Sequence, residues 1–146
     1  MMDGDPELDL GRFLAAQAEG YAQALKELRS GQKRSHWMWY IFPQLEGLGN
    51  SATARHFALR SADEARAYLA HPLLGKGLVE ATEAVLAHAD RRLVEIFGHP
   101  DDLKFRSSMT LFAAVALNEE GAIFRRALDV FCDGVPDAIT LRLLGD

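Results

Sequence analysis

The sequence predicts an all-α, compact multihelical domain of about seven helices. Apolar residues recur at helical spacing through most of the 146-residue chain, and no convincing run of alternating residues indicates a strand. Glycine, proline and serine fall between the periodic segments, where they end or begin helices. The connections are too short for a second domain, so we expect a flexible N-terminal segment, residues 1–8, followed by a single helical domain, residues 9–146.

Boundary residues define the helices of the first half. Asp9 is suited to cap a first helix that ends at Gly31, since glycine tolerates the left-handed conformation found just past a helix. The aromatic segment 35–43 could form a strand, but its helical neighbours favour a buried helical turn. A Ser-x-x-Glu capping box begins at Ser61. Two helices are expected at residues 51–59 and 61–70.

Proline and glycine define the helices of the second half. Pro72 is well placed as the first residue of a helix, because its missing N–H would be unpaired there in any case. Gly98 is expected to stop a short helix, and Pro100 to start a longer one. These helices are expected at residues 72–88, 90–97, 100–117, 119–132 and 136–144.

Composition excludes several classes of protein. The net charge of −5 disfavours a general nucleic-acid binder, which usually carries a basic surplus. The longest stretch without charged residues, 107–118, is too short for a membrane helix of about 20 residues. Residues 1–7 lack the basic and apolar regions of a secretory signal, and the single Cys132 cannot form an internal disulfide. We therefore expect a cytoplasmic protein without a membrane partner.

Charge is unevenly distributed. Between Arg29 and Arg60 there are five basic residues and one acid, so this window is +4 and the rest of the chain is −9. A local positive field in an acidic protein favours a small anionic ligand or an acidic partner over a long duplex. The alternative is a solvated basic face with no ligand, since patterning alone fixes no partner.

The helix that starts at Pro100 carries polar residues inside its apolar face. At 100° per residue, Lys104 and Ser108 fall within the apolar arc, one turn apart, and Asp101 lies near its N-terminal edge. Lysine is almost never buried without a partner, so this stripe is typical of a functional site. Alternatively, Asp101 neutralises Lys104 in a purely structural pair. The opposite, solvent-facing side is expected to carry Asp102, paired with Arg106, and Thr110.

The segment around residue 37 combines cationic and flat aromatic groups. Lys33 and Trp37 are suited to a purine-like or nicotinamide-like ring that bears phosphate or carboxylate, and Gln44 to a bidentate contact with such a ring. Aromatic residues this close together more often form core, which is the expected place of Trp39 and Phe42.

A glycine-containing turn precedes the helix at 51–59. Free amides at Gly49 and Ser51, with Arg55 one turn later, could form an anion site, although Ser51 as a simple helix cap is the stronger interpretation. The five histidines never fall three or four residues apart, so no helical metal pair exists. We expect neither a metal nor a cofactor, and Cys132 is expected in the core.

Two long motifs carry a resemblance. KxSHWMWxIFPQL at residues 33–45 and DDLKxRSSMTLF at residues 101–112 are similar to those of an uncharacterised bacterial family, a domain of unknown function sometimes labelled calpastatin-like. The resemblance implies a compact multihelical fold and no particular reaction. The label implies a protease inhibitor of a largely disordered kind, whereas this composition is globular.

These observations lead to a functional hypothesis. We expect a pocket between segments 33–51 and 101–112 that binds an anionic metabolite or nucleotide-like ligand, in an enzyme such as a hydrolase. In it, His36 is the general acid/base, Lys104 stabilises negative charge, and Asp101 orients Lys104, while Ser108 bonds the substrate. The alternatives are a non-enzymatic module that binds a protein or peptide, and motifs that only specify the fold.

Overall fold

The fold of residues 10–145, the part of the chain that this computed structural model describes, is all-α. This part contains nine α-helices rather than about seven, because four of them are short, with four to six residues each. The predicted N-terminal segment 1–8 and the Asp9 cap lie outside the described residues. The helices are α1 (Gly11–Ser30), α2 (Met38–Ile41), α3 (Ala52–Phe57), α4 (Ala62–Ala70), α5 (Leu74–Leu86), α6 (Leu93–Phe97), α7 (Asp101–Val115), α8 (Ala122–Cys132) and α9 (Ala138–Leu143), with a 3₁₀ turn at Asn118–Gly121.

Helix α7 lies at the centre of the fold. It packs against α4, α6, α8 and α9, while α5 packs against α1, α4 and α8. The fully buried Phe105 ring of α7 lies 5.0 Å from the ring centroids of both Phe42 and Phe97. Phe42 is therefore a core residue, as the sequence predicts, and it joins the aromatic segment to α7.

Several predicted helix ends are confirmed, since local chemistry sets them. Gly31 follows α1 with a φ of 87°, in the left-handed region that favours glycine. The Ser61 hydroxyl caps α4 by accepting the Glu64 N–H at 3.1 Å. The capping box is only half formed, because the buried Glu64 carboxylate accepts hydrogen bonds from the Arg60 N–H and from Arg12 Nη2, at 3.0 and 2.9 Å. Glu64 thus links α4 to α1.

Helix α5 begins two residues later than predicted. The expected first residue was Pro72, whereas the helix begins at Leu74. His71 Nδ1 accepts the N–H groups of Leu73 and Leu74, at 3.1 and 3.3 Å. The histidine side chain therefore caps the helix start that the sequence assigns to proline.

The aromatic segment 35–43 contains the predicted helical turn, α2. After it, the chain runs extended, and Leu45 forms an isolated parallel bridge with Leu59. The helix predicted at 51–59 ends at Phe57 because the next two residues turn toward this bridge: the Leu59 N–H donates to the Gln44 carbonyl at 2.9 Å. The bridge fixes the 43–59 loop against the core.

The prediction that Asp102, Arg106 and Thr110 form a solvent-facing side of α7 is wrong. Thr110 is buried, and its hydroxyl accepts the Asp137 N–H at 2.8 Å. Arg106 Nε donates to the Val135 carbonyl at 2.8 Å, and this contact replaces the expected pair with Asp102. The C-terminal segment that leads into α9 covers this face, which a helical wheel of α7 cannot reveal.

Two sequence-based expectations concern the environment of the chain. Within residues 10–145, no helix combines the length and apolar character that a membrane span requires. Cys132 is half-buried against the edge of the core, and burial raises the pKa of its thiol. The cytoplasmic location stays a prediction.

Candidate functional site

A buried carboxylate anchors the segment that begins the first motif. Glu27, near the end of α1, is 4% exposed. Its Oε1 accepts hydrogen bonds from the N–H groups of Arg34 and Ser35, at 2.7 and 3.0 Å, and from Trp37 Nε1 at 2.8 Å. Its Oε2 accepts from Ser35 Oγ at 2.6 Å and from Gln23 Nε2 at 2.9 Å. Five donors therefore converge on one carboxylate.

These hydrogen bonds determine the charge state of Glu27. Burial acts to raise its pKa, but the bonds from Ser35, Gln23 and the Arg34 amide outweigh burial and hold the pKa of Glu27 well below its ordinary value. A charged carboxylate of this kind forms strong hydrogen bonds. Glu27 thereby fixes the backbone just before His36 and the indole ring of Trp37 just after it, while the His36 side chain itself is exposed.

The same segment brings Lys33 to the start of α7. The Lys33 N–H donates to the Ile96 carbonyl at 2.7 Å, and its ammonium lies 2.9 Å from Asp101 Oδ2. The other oxygen of this carboxylate, Oδ1, lies 3.3 Å from the Lys104 ammonium. One carboxylate is thus shared by two lysines, and these three groups carry a net charge of +1.

The two lysines differ in access to solvent. The Lys33 side chain is 8% exposed and that of Lys104 is 28% exposed, while the Asp101 side chain is 19% exposed. Lys33 and Asp101 therefore form a short, nearly buried pair, and Lys104 contacts the same carboxylate more loosely from the surface. Asp101 contacts Lys104, and its role in orienting this lysine stays a prediction.

Each lysine also stands over an indole ring. The Lys33 ammonium lies 5.2 Å from the ring centroid of Trp37, and that of Lys104 lies 5.4 Å from Trp39. Both distances fall within the range of cation–π attraction. We call these five residues, Lys33, Trp37, Trp39, Asp101 and Lys104, the lysine–tryptophan cluster. It joins the two motif segments that the sequence predicts to face one another.

The burial of the two tryptophan side chains is the reverse of the prediction. Trp37, predicted to stack on a ligand, is 2% exposed with its indole N–H bound to Glu27, so it belongs to the core. Trp39, predicted to be core, is half-buried and reaches the surface under Lys104. Trp39 is therefore the indole that a ligand at the cluster could touch.

Ser108 lies on α7 one turn after Lys104. It is fully buried, as the helical wheel indicates, and its hydroxyl has no hydrogen-bond partner within the described residues. A buried hydroxyl without a partner destabilises a fold by about 1–3 kcal/mol. Contact between this hydroxyl and a substrate from solution would require the side chains above it to move.

The remaining candidate residues lie in the loop before α3 and, for Arg55, in α3 itself. The Ser51 hydroxyl accepts the Ala54 N–H at 3.0 Å, so it is the helix cap that the sequence favours, and Arg55 is exposed. Gln44 and Gly49 line a cavity of about 10 Å³ that also contacts Trp39. That space holds at most about one water molecule. The anion site expected at this loop stays a prediction.

Sequence reasoning overlooked Glu27. The helical pattern gives little signal for it: at 100° per residue Glu27 falls just outside the apolar arc of α1, and Lys26, between the same two buried leucines, is exposed. As for metals, no three His, Cys, Asp or Glu side chains come together as ligands anywhere in residues 10–145.

Comparisons with known proteins agree with this fold. The profile of a family described as "Protein of unknown function (DUF1810)" matches residues 7–144. The chain is also similar to the conserved hypothetical protein Rv1873 from Mycobacterium tuberculosis, whose crystal structure it matches with a TM-score of 0.92 and 47% identity, over 97% of this chain and 99% of that one. No curated protein matches the chain.

Proposed function

This chain belongs to the DUF1810 family, and we propose that it binds a small anionic ligand at the lysine–tryptophan cluster. The observation that carries the proposal is the sharing of Asp101 by Lys33 and Lys104. Two ammonium groups with one carboxylate between them leave one positive charge uncompensated. A phosphate or carboxylate group is the natural ligand of such a charge.

Lys104 is the group that would bind the ligand. Its distance of 3.3 Å from Asp101 and its partial exposure leave ammonium protons available to an incoming anion. Lys33, at 2.9 Å and nearly buried, would keep Asp101 in place when Lys104 turns away. The ion pair between Lys33 and Asp101 thus keeps its position, while the Lys104 side chain can move to contact the ligand.

Trp39 favours a ligand with a flat ring. Its indole is half-buried beside Lys104, so an anion bound by the lysine would bring its own ring close to the indole. Aromatic rings attract one another in stacked or edge-to-face geometry. A nucleotide-like metabolite combines both groups.

Glu27 gives the site the rigidity that binding needs. Its hydrogen bonds to the backbone of Arg34 and Ser35 hold the 33–37 segment before any ligand arrives. A site whose residues are already ordered loses less conformational entropy on binding. His36 lies between these anchored residues with an exposed imidazole, so it is the acid/base group that a hydrolase at this site would use.

The experiment is a thermal-unfolding screen with phosphate- and carboxylate-bearing metabolites. A ligand at 100 times its dissociation constant stabilises the folded protein by about 2.7 kcal/mol. We expect Lys104→Ala to abolish the stabilisation and Lys26→Ala, which removes an exposed lysine of α1, to preserve it. Hydrolysis of any ligand found is then compared between wild type and His36→Ala.

Four results distinguish this proposal from its alternatives. Loss of stabilisation in Lys104→Ala alone supports binding at the cluster, and loss of turnover in His36→Ala with retained binding supports the hydrolase. The absence of any ligand, or ligands that bind Lys104→Ala as well as wild type, would overturn it. In that case the cluster is a structural device that joins segment 33–37 to α7.

A further inference from the structure

A groove between α1 and α5 contains none of the residues of the lysine–tryptophan cluster, and its volume is about 510 Å³. Four residues of α1, from Leu14 to Tyr21, and four at the start of α5, from Leu73 to Glu80, line it with the spacing i, i+3, i+4 and i+7. This spacing places each set on one face of its helix. Binding sites for small molecules commonly enclose about 300–1,000 Å³, so the groove is large enough for one.

The walls of this groove are mainly apolar. Leu73 is 67% exposed, more than any other large hydrophobic side chain within residues 10–145. On the α1 side, Leu14 and Tyr21 are half-buried and Ala18 is exposed. Gly77 lets the Tyr21 ring lie close to α5, because a Cβ atom at residue 77 would stand 3.2 Å from Tyr21 Cε1. The groove therefore offers an accessible apolar surface that suits a hydrocarbon or aromatic group.

Two polar side chains of the groove are engaged by contacts of the fold. Gln17 Nε2 donates to the Tyr40 carbonyl at 2.7 Å and to the Tyr68 hydroxyl at 3.0 Å, which uses both protons of the amide. Burial and the hydrogen bond to Glu80 raise the pKa of the Tyr21 hydroxyl, which therefore keeps its proton. This single proton is directed at acceptors on α5, of which Glu80 Oε1 is the nearest. Neither side chain has a donor left for a ligand.

The charge of Glu80 is compensated, whereas that of Lys76 is not. The two residues lie one helical turn apart, a spacing at which such side chains commonly pair. Glu80 turns to α1 instead: its Oε1 accepts from Tyr21, and its Oε2 lies 3.5 Å from Arg29 Nη2. The exposed Lys76 side chain makes no hydrogen bond or ion pair within residues 10–145. Among the eight described residues that line the groove, Lys76 alone therefore has free side-chain donors.

We propose that this groove binds a small amphipathic carboxylate, with its apolar body between Leu73 and Ala18 and its carboxylate at the Lys76 ammonium. The free donors of Lys76 select a ligand end that accepts hydrogen bonds and carries negative charge. The apolar walls select a hydrocarbon or aromatic remainder, because its burial adds to the binding free energy. Glu83 and Glu120 line an adjoining groove that Lys76 also borders, and their exposed carboxylates weaken the field of the ammonium. We therefore expect low affinity.

Amide NMR spectra of the isotope-labelled full chain, titrated with phenylacetate, test the proposal, since they detect weak binding and locate it. We expect saturable shifts at residues 14–21 and 73–80. Phenylacetamide has nearly the same shape without the charge, and we expect wild type to bind it about five- to tenfold more weakly than phenylacetate. In Lys76→Gln this preference for the carboxylate is expected to disappear.

Two substitutions on α1 form a matched pair for the apolar part of the groove. Ala18→Glu places a carboxylate among the lining residues, and we expect it to weaken phenylacetate binding by about tenfold or more. Ala22→Glu is the control, because Ala22 is also exposed on α1 and lies one turn later, outside the groove. Its affinity is expected to equal that of wild type. Both positions are exposed, and the same spectra show whether each variant is folded.

Shifts confined to the two stretches, lost in Ala18→Glu and kept in Ala22→Glu, would support the proposal. The absence of saturable shifts in wild type would overturn it, as would equal affinities of wild type and Ala18→Glu. Equal binding of phenylacetate and phenylacetamide by wild type would also contradict it, since Lys76 would then have no role in selecting an anion.

Discussion

Two carboxylates hold the 33–37 segment, and they do so in opposite ways. Glu27 accepts five hydrogen bonds from backbone amides and neutral side chains, and it is almost completely buried. Asp101 meets two ammonium groups at a partly exposed position. A carboxylate saturated by neutral donors has one stable arrangement, whereas an ammonium group near solvent, here that of Lys104, can exchange partners. The first arrangement fixes a structure, and the second leaves room for a ligand.

The largest effect is expected at Glu27. In Glu27→Ala, the Trp37 indole N–H and the backbone N–H groups of residues 34 and 35 lose their acceptor, and each buried unpaired donor costs about 1–3 kcal/mol. We expect the free energy of unfolding in urea to fall by at least about 3 kcal/mol. Glu19→Ala, an exposed position on the same helix, is expected to change it by less than about 0.5 kcal/mol. Equal effects of the two changes would show that Glu27 is not a structural anchor.

The charge of Glu27 also predicts a pH dependence. Because the pKa of Glu27 is lowered in the folded state, its contribution to stability is fully present above the ordinary glutamate pKa of about 4.3 and is lost as pH falls toward the folded value. The free energies of unfolding of wild type and Glu27→Gln are compared between about pH 2 and 7. We expect the wild type to be the more stable by a constant amount above about pH 5, and this difference in free energy to become smaller at lower pH. A difference that stays constant or widens on acidification would contradict this assignment.

The two lysines of the cluster are expected to differ in their effect on stability. Lys33→Met removes a nearly buried charged hydrogen bond and should lower the free energy of unfolding by about 2 kcal/mol. Lys104→Met removes a looser and more exposed pair, so we expect a change of less than about 1 kcal/mol. Chemical denaturation of both variants measures which of the two lysines contributes more to the free energy of unfolding. The reverse order would make Lys104 the structural member of the pair and would weaken the proposed ligand role.

Two neighbouring serines of α7 provide the smallest and most specific test. Ser107→Ala loses a hydrogen bond to the Leu103 carbonyl and should be destabilised by about 1 kcal/mol. Ser108→Ala removes a buried hydroxyl without a partner, and we expect stability to stay unchanged or to rise by up to about 1 kcal/mol. Thermal unfolding of the two variants side by side measures the difference. Clear destabilisation of Ser108→Ala would reveal a partner for this hydroxyl.

The tryptophans show where sequence reasoning reached its limit. Trp37 and Trp39 lie two residues apart in one aromatic segment, and hydrophobicity gives both the same preference for the interior. Glu27 decides between them, because it accepts the Trp37 indole N–H and thereby draws that ring into the core. The acceptor lies ten residues away on another helix, so the local pattern could not identify it.

The all-α class, most helix ends and the inward position of Ser108 could be predicted from the amino-acid sequence, because they depend on periodicity and on boundary residues within a few positions of one another. Which groups meet could not be predicted in this way. Lys33 pairs with Asp101 across 68 positions of the chain, and residues 135–137 cover the side of α7 that a helical wheel assigns to solvent. Ion pairs and buried surfaces depend on how helices pack in space, and a pattern within one helix carries no information about its neighbours.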